Sequence, residues 1–100
     1  MSNDQRTISE MRNLGPACEA HLNAAGIFTA DDVNRLGIEE TYERMVAAQM
    51  KTGKRVVIHP GYLYALYGAL EDCDWREVPQ SKKNEFKAIC NRLRRKYLGG

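Results

Sequence analysis

The sequence predicts an all-α fold, and three observations carry that prediction. Gly and Pro recur at intervals that suit short helices: Gly15-Pro16, Gly26, Gly37, Gly53, Pro60-Gly61, Pro79 and Gly99-Gly100. Between these breaks apolar residues return at helical spacing, most clearly in Phe86, Ile89, Cys90, Leu93 and Tyr97. No stretch reads as a strand hairpin. With 100 residues, 43% hydrophobic and 28% charged, the chain has the balance of one globular domain over residues 1–100. Disorder, collagen-like repeats and a disulfide-dense scaffold fit poorly. A single compact five-helix domain is the expectation.

Each helix has its own punctuation. The first begins at Pro16, where the missing N–H has no intrahelical partner to lose, and runs to residue 25 with Gly26 as a left-handed stop. The second is capped by Thr29, with Asp31 and Asp32 in its first turn where the helix dipole favours negative charge, and it ends at Gly37. A third, over residues 39–51, places Tyr42, Met45, Val46 and Met50 in one apolar stripe. Arg55-Val56-Val57-Ile58-His59 is the β-branched run, read as a packed connection because Pro60 cuts it short. The fourth, over 60–72, buries Tyr62, Leu63, Leu66, Ala69 and Leu70, and Trp75 is expected to close one end. The fifth, over 80–98, carries the basic residues around its apolar face.

Charge is unevenly spread. Residues 1–75 hold 7 Lys/Arg against 11 Asp/Glu, and residues 76–100 hold 8 against 2, giving −4 followed by +6 within a net +2. Lys83, Lys87 and Arg94 line one edge of the last helix, with Arg95 further round, so a basic surface and a merely solvated helix face are both open readings. Three cysteines, an odd number with no Cys-x-x-Cys pair, suit reduced thiols. With the polar start Met1-Ser2-Asn3-Asp4-Gln5 and no run near the roughly 18 apolar residues of a membrane span, they make a cytoplasmic protein without membrane contact the expectation.

Residues 11–37 have the pattern of a helix-hairpin-helix or SAM-like unit: apolar residue, tight turn, helix, glycine stop, capped helix. The turn is Asn13-Leu14-Gly15-Pro16-Ala17. Modules of this kind that hold DNA usually have two glycines here, so that phosphate can approach the amides of the following helix. Asn13 stands at the first of them and tolerates positive φ, whereas Pro16 removes one donor. Asn13, Leu14, Gly15 and Ala17 are therefore the candidate phosphate-binding turn, against the plain reading of a turn that only packs two helices.

The run NLGPACEAHLNAAGIFTADDVNRLG, the helix from Ile38, and YLYALYGALEDCDW followed by Val-Pro resemble the C-terminal domain of the TfoX (Sxy) family of bacterial competence regulators. The resemblance covers about residues 11–80. It implies a compact helical domain with a role in transcriptional control of DNA uptake, where family members are thought to act with the cyclic-AMP receptor protein. Three departures stand out. Longer members carry an α/β domain ahead of this one, and about ten residues precede the match here. Tyr67 occupies a position commonly polar in the family. The cluster from Arg92 to Lys96 lies beyond the matching region.

Catalytic and metal motifs are lacking. Cys18 and His21, at i and i+3, share a helix, with His59 or Cys73 the residues left to complete a set, but a structural zinc site needs paired short spacings and one such pair exists. A buried cysteine is the better reading. Glu71, Asp72 and Asp74 lack the alternation and Gly of an EF-hand loop, and there is no Walker loop, Rossmann fingerprint or Cys/His hydrolase pattern. The expectation is a non-enzymatic module without cofactor or metal, binding a regulatory protein through helix faces, with Tyr64 and Tyr67 as contacts. The alternative is sequence-nonspecific DNA or RNA binding through the turn at 13–17 with Lys83, Lys87, Arg94 and Arg95. The oligomeric state is left open.

Overall fold

The computed structural model describes residues 5–53 and 55–99, and it follows the punctuation of the sequence closely. A 3-10 turn at Ile8–Glu10 is followed by α1 (Pro16–Ala24), α2 (Ala30–Lys51), α3 (Pro60–Glu71), a second 3-10 turn at Trp75–Glu77, and α4 (Gln80–Tyr97). Among the described residues there is no strand, only an isolated antiparallel bridge between Thr7 and Thr29.

Among the described residues there are four α-helices rather than the expected five. Gly37 leaves the helical region at φ 82°, ψ 169°, but it does so alone, so the two predicted helices abut in one kinked element. Only a residue without Cβ sits comfortably at that dihedral pair. The helix-hairpin-helix or SAM-like reading is not confirmed: the turn at 13–17 follows a 3-10 turn and leads into α1, with the Gly26 stop and the capped start of α2 after it.

α1 ends where the Ile27 N–H reaches back to the Leu22 carbonyl (2.9 Å) across Gly26, at φ 82°. α2 opens with a reciprocal cap: the Asp32 N–H donates to Thr29 Oγ1 (3.3 Å), and the Asp32 carboxylate accepts from the N–H groups of Phe28 (3.0 Å) and Thr29 (3.2 Å). Ahead of it, the Ala30 N–H donates to the Arg6 carbonyl, tying the N-terminal segment onto this turn. Residues 55–59 run extended, burying Val56 and Ile58 and leaving Val57 exposed.

The core is formed by Leu22, Val33, Tyr42, Met45, Val46, Leu63, Leu66, Phe86, Cys90 and Leu93, all nearly or wholly removed from solvent. α3 packs against α2 and α4, and α1 packs against α2 and the first 3-10 turn. Two sequence expectations fail at the edges: Met50 is exposed, and Trp75 is half-exposed on its 3-10 turn instead of closing the core. Tyr42 is fully buried and its hydroxyl is satisfied by the connection, accepting from the His59 N–H (3.1 Å) and donating to the His59 carbonyl (3.4 Å). Its ring stacks on Tyr62 at 5.9 Å, and burial pushes the phenol up to about 12.

Candidate functional site

Asn13 adopts φ 71°, as its place in the turn requires. Its amide is spent inside the molecule: Asn13 Nδ2 donates to the Cys73 carbonyl (2.9 Å), sixty residues away at the end of α3. Gly68 makes this possible. A Cβ there would lie 2.1 Å from Asn13 Nδ2 and 2.5 Å from the Cys73 carbonyl oxygen. α3 itself stops at Asp72, which takes the left-handed conformation (φ 53°, ψ 47°), while the Cys73 N–H closes onto the Gly68 carbonyl (2.9 Å).

The turn thereby becomes one wall of an apolar cleft of about 400 Å³ between the start of α1 and the start of α3. Leu14 is buried beneath it; Cys18, Tyr62 and Ala65 face it, and His59 stands at its rim. His59 caps α3, its Nδ1 accepting from the Gly61 N–H (2.9 Å). None of the described residues lining the cleft is Lys, Arg, Asp or Glu. Burial pushes the Cys18 thiol up to about 11, so it stays protonated and unreactive near neutral pH. Cys18 and His21 do not converge, because Cys18 lines this cleft and His21 lines a different groove between α1 and α2. Among the described residues, no three His, Cys, Asp or Glu side chains are grouped to hold a metal ion.

The basic helix is less free than its sequence suggests. Arg94 Nη2 donates to the Ile58 carbonyl (2.7 Å) and Nη1 to Asn91 Oδ1 (3.0 Å), so this residue pins the extended connection. Arg92 bridges Glu39 (2.7 Å) and Glu43 (3.1 Å), and Lys96 reaches Glu43 (2.6 Å). With Tyr97 Oη donating as well (3.0 Å), Glu43 is held down to about 2, chiefly by Lys96. Sequence reasoning missed Glu39 and Glu43, whose i, i+4 spacing on α2 was the available signal. Lys83, Lys87 and Arg95 make no ion pair among the described residues.

The turn and the basic helix meet α3 on different faces. Asn13 abuts Gly68, with Gly61 and Ala65 along the same side, whereas Tyr64 and Tyr67 pack on Phe86 of α4, with ring centroids 6.0 and 6.1 Å apart. At 100° per residue these two faces are roughly 100° apart around α3. Tyr64 and Tyr67 are both half-buried, so part of each ring remains accessible.

A crystal structure of an uncharacterized protein from Listeria monocytogenes superposes on this fold with a TM-score of 0.75 and 29% identity, covering 87% of this chain and 92% of that one. No curated protein matches the sequence. The family model described as the TfoX C-terminal domain matches residues 4–89, which takes in the Asn13 turn, the α1–α3 cleft and the first half of α4. The chain therefore belongs to the TfoX C-terminal domain family, a regulatory-type, competence-regulator-like domain.

Proposed function

We propose that this domain is a non-enzymatic interaction module that binds a regulatory protein through the cleft between α1 and α3. One observation carries this reading: where the sequence suggested a phosphate-binding turn, the structure has an apolar, uncharged cleft whose Asn13 amide is already committed. Such a surface offers an aliphatic or aromatic side chain a dry seat, with the His59 imidazole at the rim for one directional hydrogen bond. It offers phosphate little, because Pro16 lacks a donor and Glu19 brings negative charge to the first turn of α1. Tyr64 and Tyr67 are further candidate contacts, since aromatic side chains tend to carry interface energy. The test is an Ala65→Arg variant that fills the cleft: bait protein recovers its partner from cell extract, the variant does not, and an unchanged recovery overturns the reading.

Nucleic-acid binding is the second reading, favoured by Lys83, Lys87 and Arg95 standing without acidic partners among the described residues. Four neutralised phosphates would give a slope of log affinity against log salt near −3.6; with Arg94 committed to Ile58, three give about −2.7. A salt titration of duplex binding with Lys83→Ala/Lys87→Ala/Arg95→Ala decides it. A slope near zero, unchanged in the variant, removes this reading.

A further inference from the structure

A second surface lies on the other side of α1. Two pockets of about 490 and 390 Å³ share Ala24, Ala48 and Thr52, and so form one groove between α1 and the C-terminal half of α2. Its floor is methyl groups, from Ala20, Ala24 and Ala25 on α1 and Ala47 and Ala48 on α2. Its charged rim is cationic: Arg44 and Lys51 border one compartment and Arg55 the other, with His21 beside them and no carboxylate among the described lining residues. Arg44 is shared with Glu40 (2.9 Å). Lys51 and Arg55 have no acidic partner among the described residues and are exposed. His21 Nδ1 is buried with no hydrogen-bond partner among the described residues, a state that buried polar atoms rarely keep.

We propose that this groove docks an acidic amphipathic helix of a partner protein. Small side chains on both walls let a third helix approach closely, as ridges into a shallow groove. Unpaired cations along the rim set the sign of the side chains that flank the incoming apolar stripe. A polynucleotide fits less well, because alanine methyls give phosphates no donors and give bases no aromatic ring on which to stack. Thr52 Oγ1 is in addition already used, donating to the Gln49 carbonyl (2.7 Å). The surface is separate from the α1–α3 cleft, so it stands or falls independently of that reading.

The probe is a fluorescein-labelled 15-residue helical peptide with Leu and Ala on one face and Glu along both edges, titrated by anisotropy. Saturable binding is expected, weakened at least fivefold by Lys51→Glu and by Arg55→Glu, and lost with Ala24→Trp, which fills the groove from an exposed position. Lys82→Glu, the same charge change on α4, leaves it unaltered. Circular dichroism checks that each variant is folded; if Ala24→Trp is not, the charge variants decide. The proposal is overturned if the peptide does not bind, if Lys82→Glu weakens it as much as Lys51→Glu does, or if a duplex oligonucleotide binds with the same dependence on Lys51 and Arg55.

Discussion

Gly68→Ala should be among the most damaging small substitutions in this protein, although alanine ordinarily strengthens a helix by about 1 kcal/mol over glycine. The added Cβ would stand 2.1 Å from Asn13 Nδ2 and 2.5 Å from the Cys73 carbonyl oxygen, and the second of these is backbone. Overpacking costs about 1–3 kcal/mol, and losing the Asn13 to Cys73 hydrogen bond costs about 1 kcal/mol more. Set against the helix gain, the net loss is about 2 kcal/mol. With a urea m-value of roughly 1.3 kcal/mol/M for a domain of this size, the midpoint falls by about 1.5 M. Asn13→Gly keeps the positive φ, loses only the amide, and should cost about 1 kcal/mol. In the double variant the nearer clash is gone and the carbonyl one remains, so the two losses should fall short of additivity by about 1 kcal/mol. Urea melts followed at 222 nm measure all four corners of the cycle. A Gly68→Ala protein as stable as the parent, or losses that simply add, would refute the idea that Asn13, Gly68 and Cys73 act as one lock.

Other substitutions test the remaining joints. Glu43 titrates far below the usual carboxylate range in the folded protein, so its contribution is complete above about pH 5 and is lost as pH falls through 4.5 toward about 2. Because Lys96 and Arg92 are partly exposed, the contribution at neutral pH is about 1–2 kcal/mol after screening; Glu43→Gln should lose it and flatten the acid limb of a stability profile between pH 5 and 2. Arg94→Ala leaves the Ile58 carbonyl without its charged donor and should cost about 1.5–3 kcal/mol, with faster amide exchange in residues 55–59 as the local readout. Gly37→Ala forces a side chain into φ 82° and should lower stability by about 1–2 kcal/mol in thermal melts, despite alanine's helix preference. Cys18, half-buried and with its thiol pushed up to about 11 by that burial, should react with iodoacetamide at pH 8 far more slowly in the native protein than in urea.

Helix positions were legible because their signals are local. Pro16, Thr29, Pro60 and the apolar stripe of α4 each act within one or two turns, and each marks an observed boundary or buried face. The helix count failed at Gly37 for an instructive reason: glycine announces a break in dihedral angle but not whether a loop follows. Met50 and Trp75 were placed in the core by spacing and size alone, and both lie at the ends of elements where no neighbouring helix covers them. The row Lys83, Lys87 and Arg94 on α4 left a basic surface and a solvated helix face both open; Arg94 is engaged at Ile58, while Lys83 and Lys87 make no ion pair among the described residues. Arg94, Arg92 and Lys96 find their partners at Ile58, Glu39 and Glu43, and separations of 36 to 53 residues leave no trace in local pattern.

The same distinction bears on what the family signature means. Two pieces that lie within the matched residues, the Asn13-Leu14-Gly15-Pro16 turn and the Gly68-Ala69-Leu70 end of α3, meet in space as donor, clearance and acceptor. Asn supplies the left-handed turn residue and the amide together, glycine supplies the room, and the Cys73 carbonyl is presented because Asp72 ends the helix in the left-handed conformation. Exchanging any one of these alone strands the others, so the two pieces can be shared by proteins with unlike partners, provided the fold is kept. Under the two proposed docking readings, partner choice would rest on residues outside the lock: Cys18, Ala65 and His59 around the cleft, and Lys51 and Arg55 beside the alanine groove. On this reasoning, charge reversal at Lys51 and Arg55 should leave the urea midpoint within about 0.4 M of the parent while altering binding, whereas Gly68→Ala should shift the midpoint before it alters any contact. A variant at Lys51 or Arg55 that unfolds the domain as readily as Gly68→Ala would show that fold and recognition are not separable here.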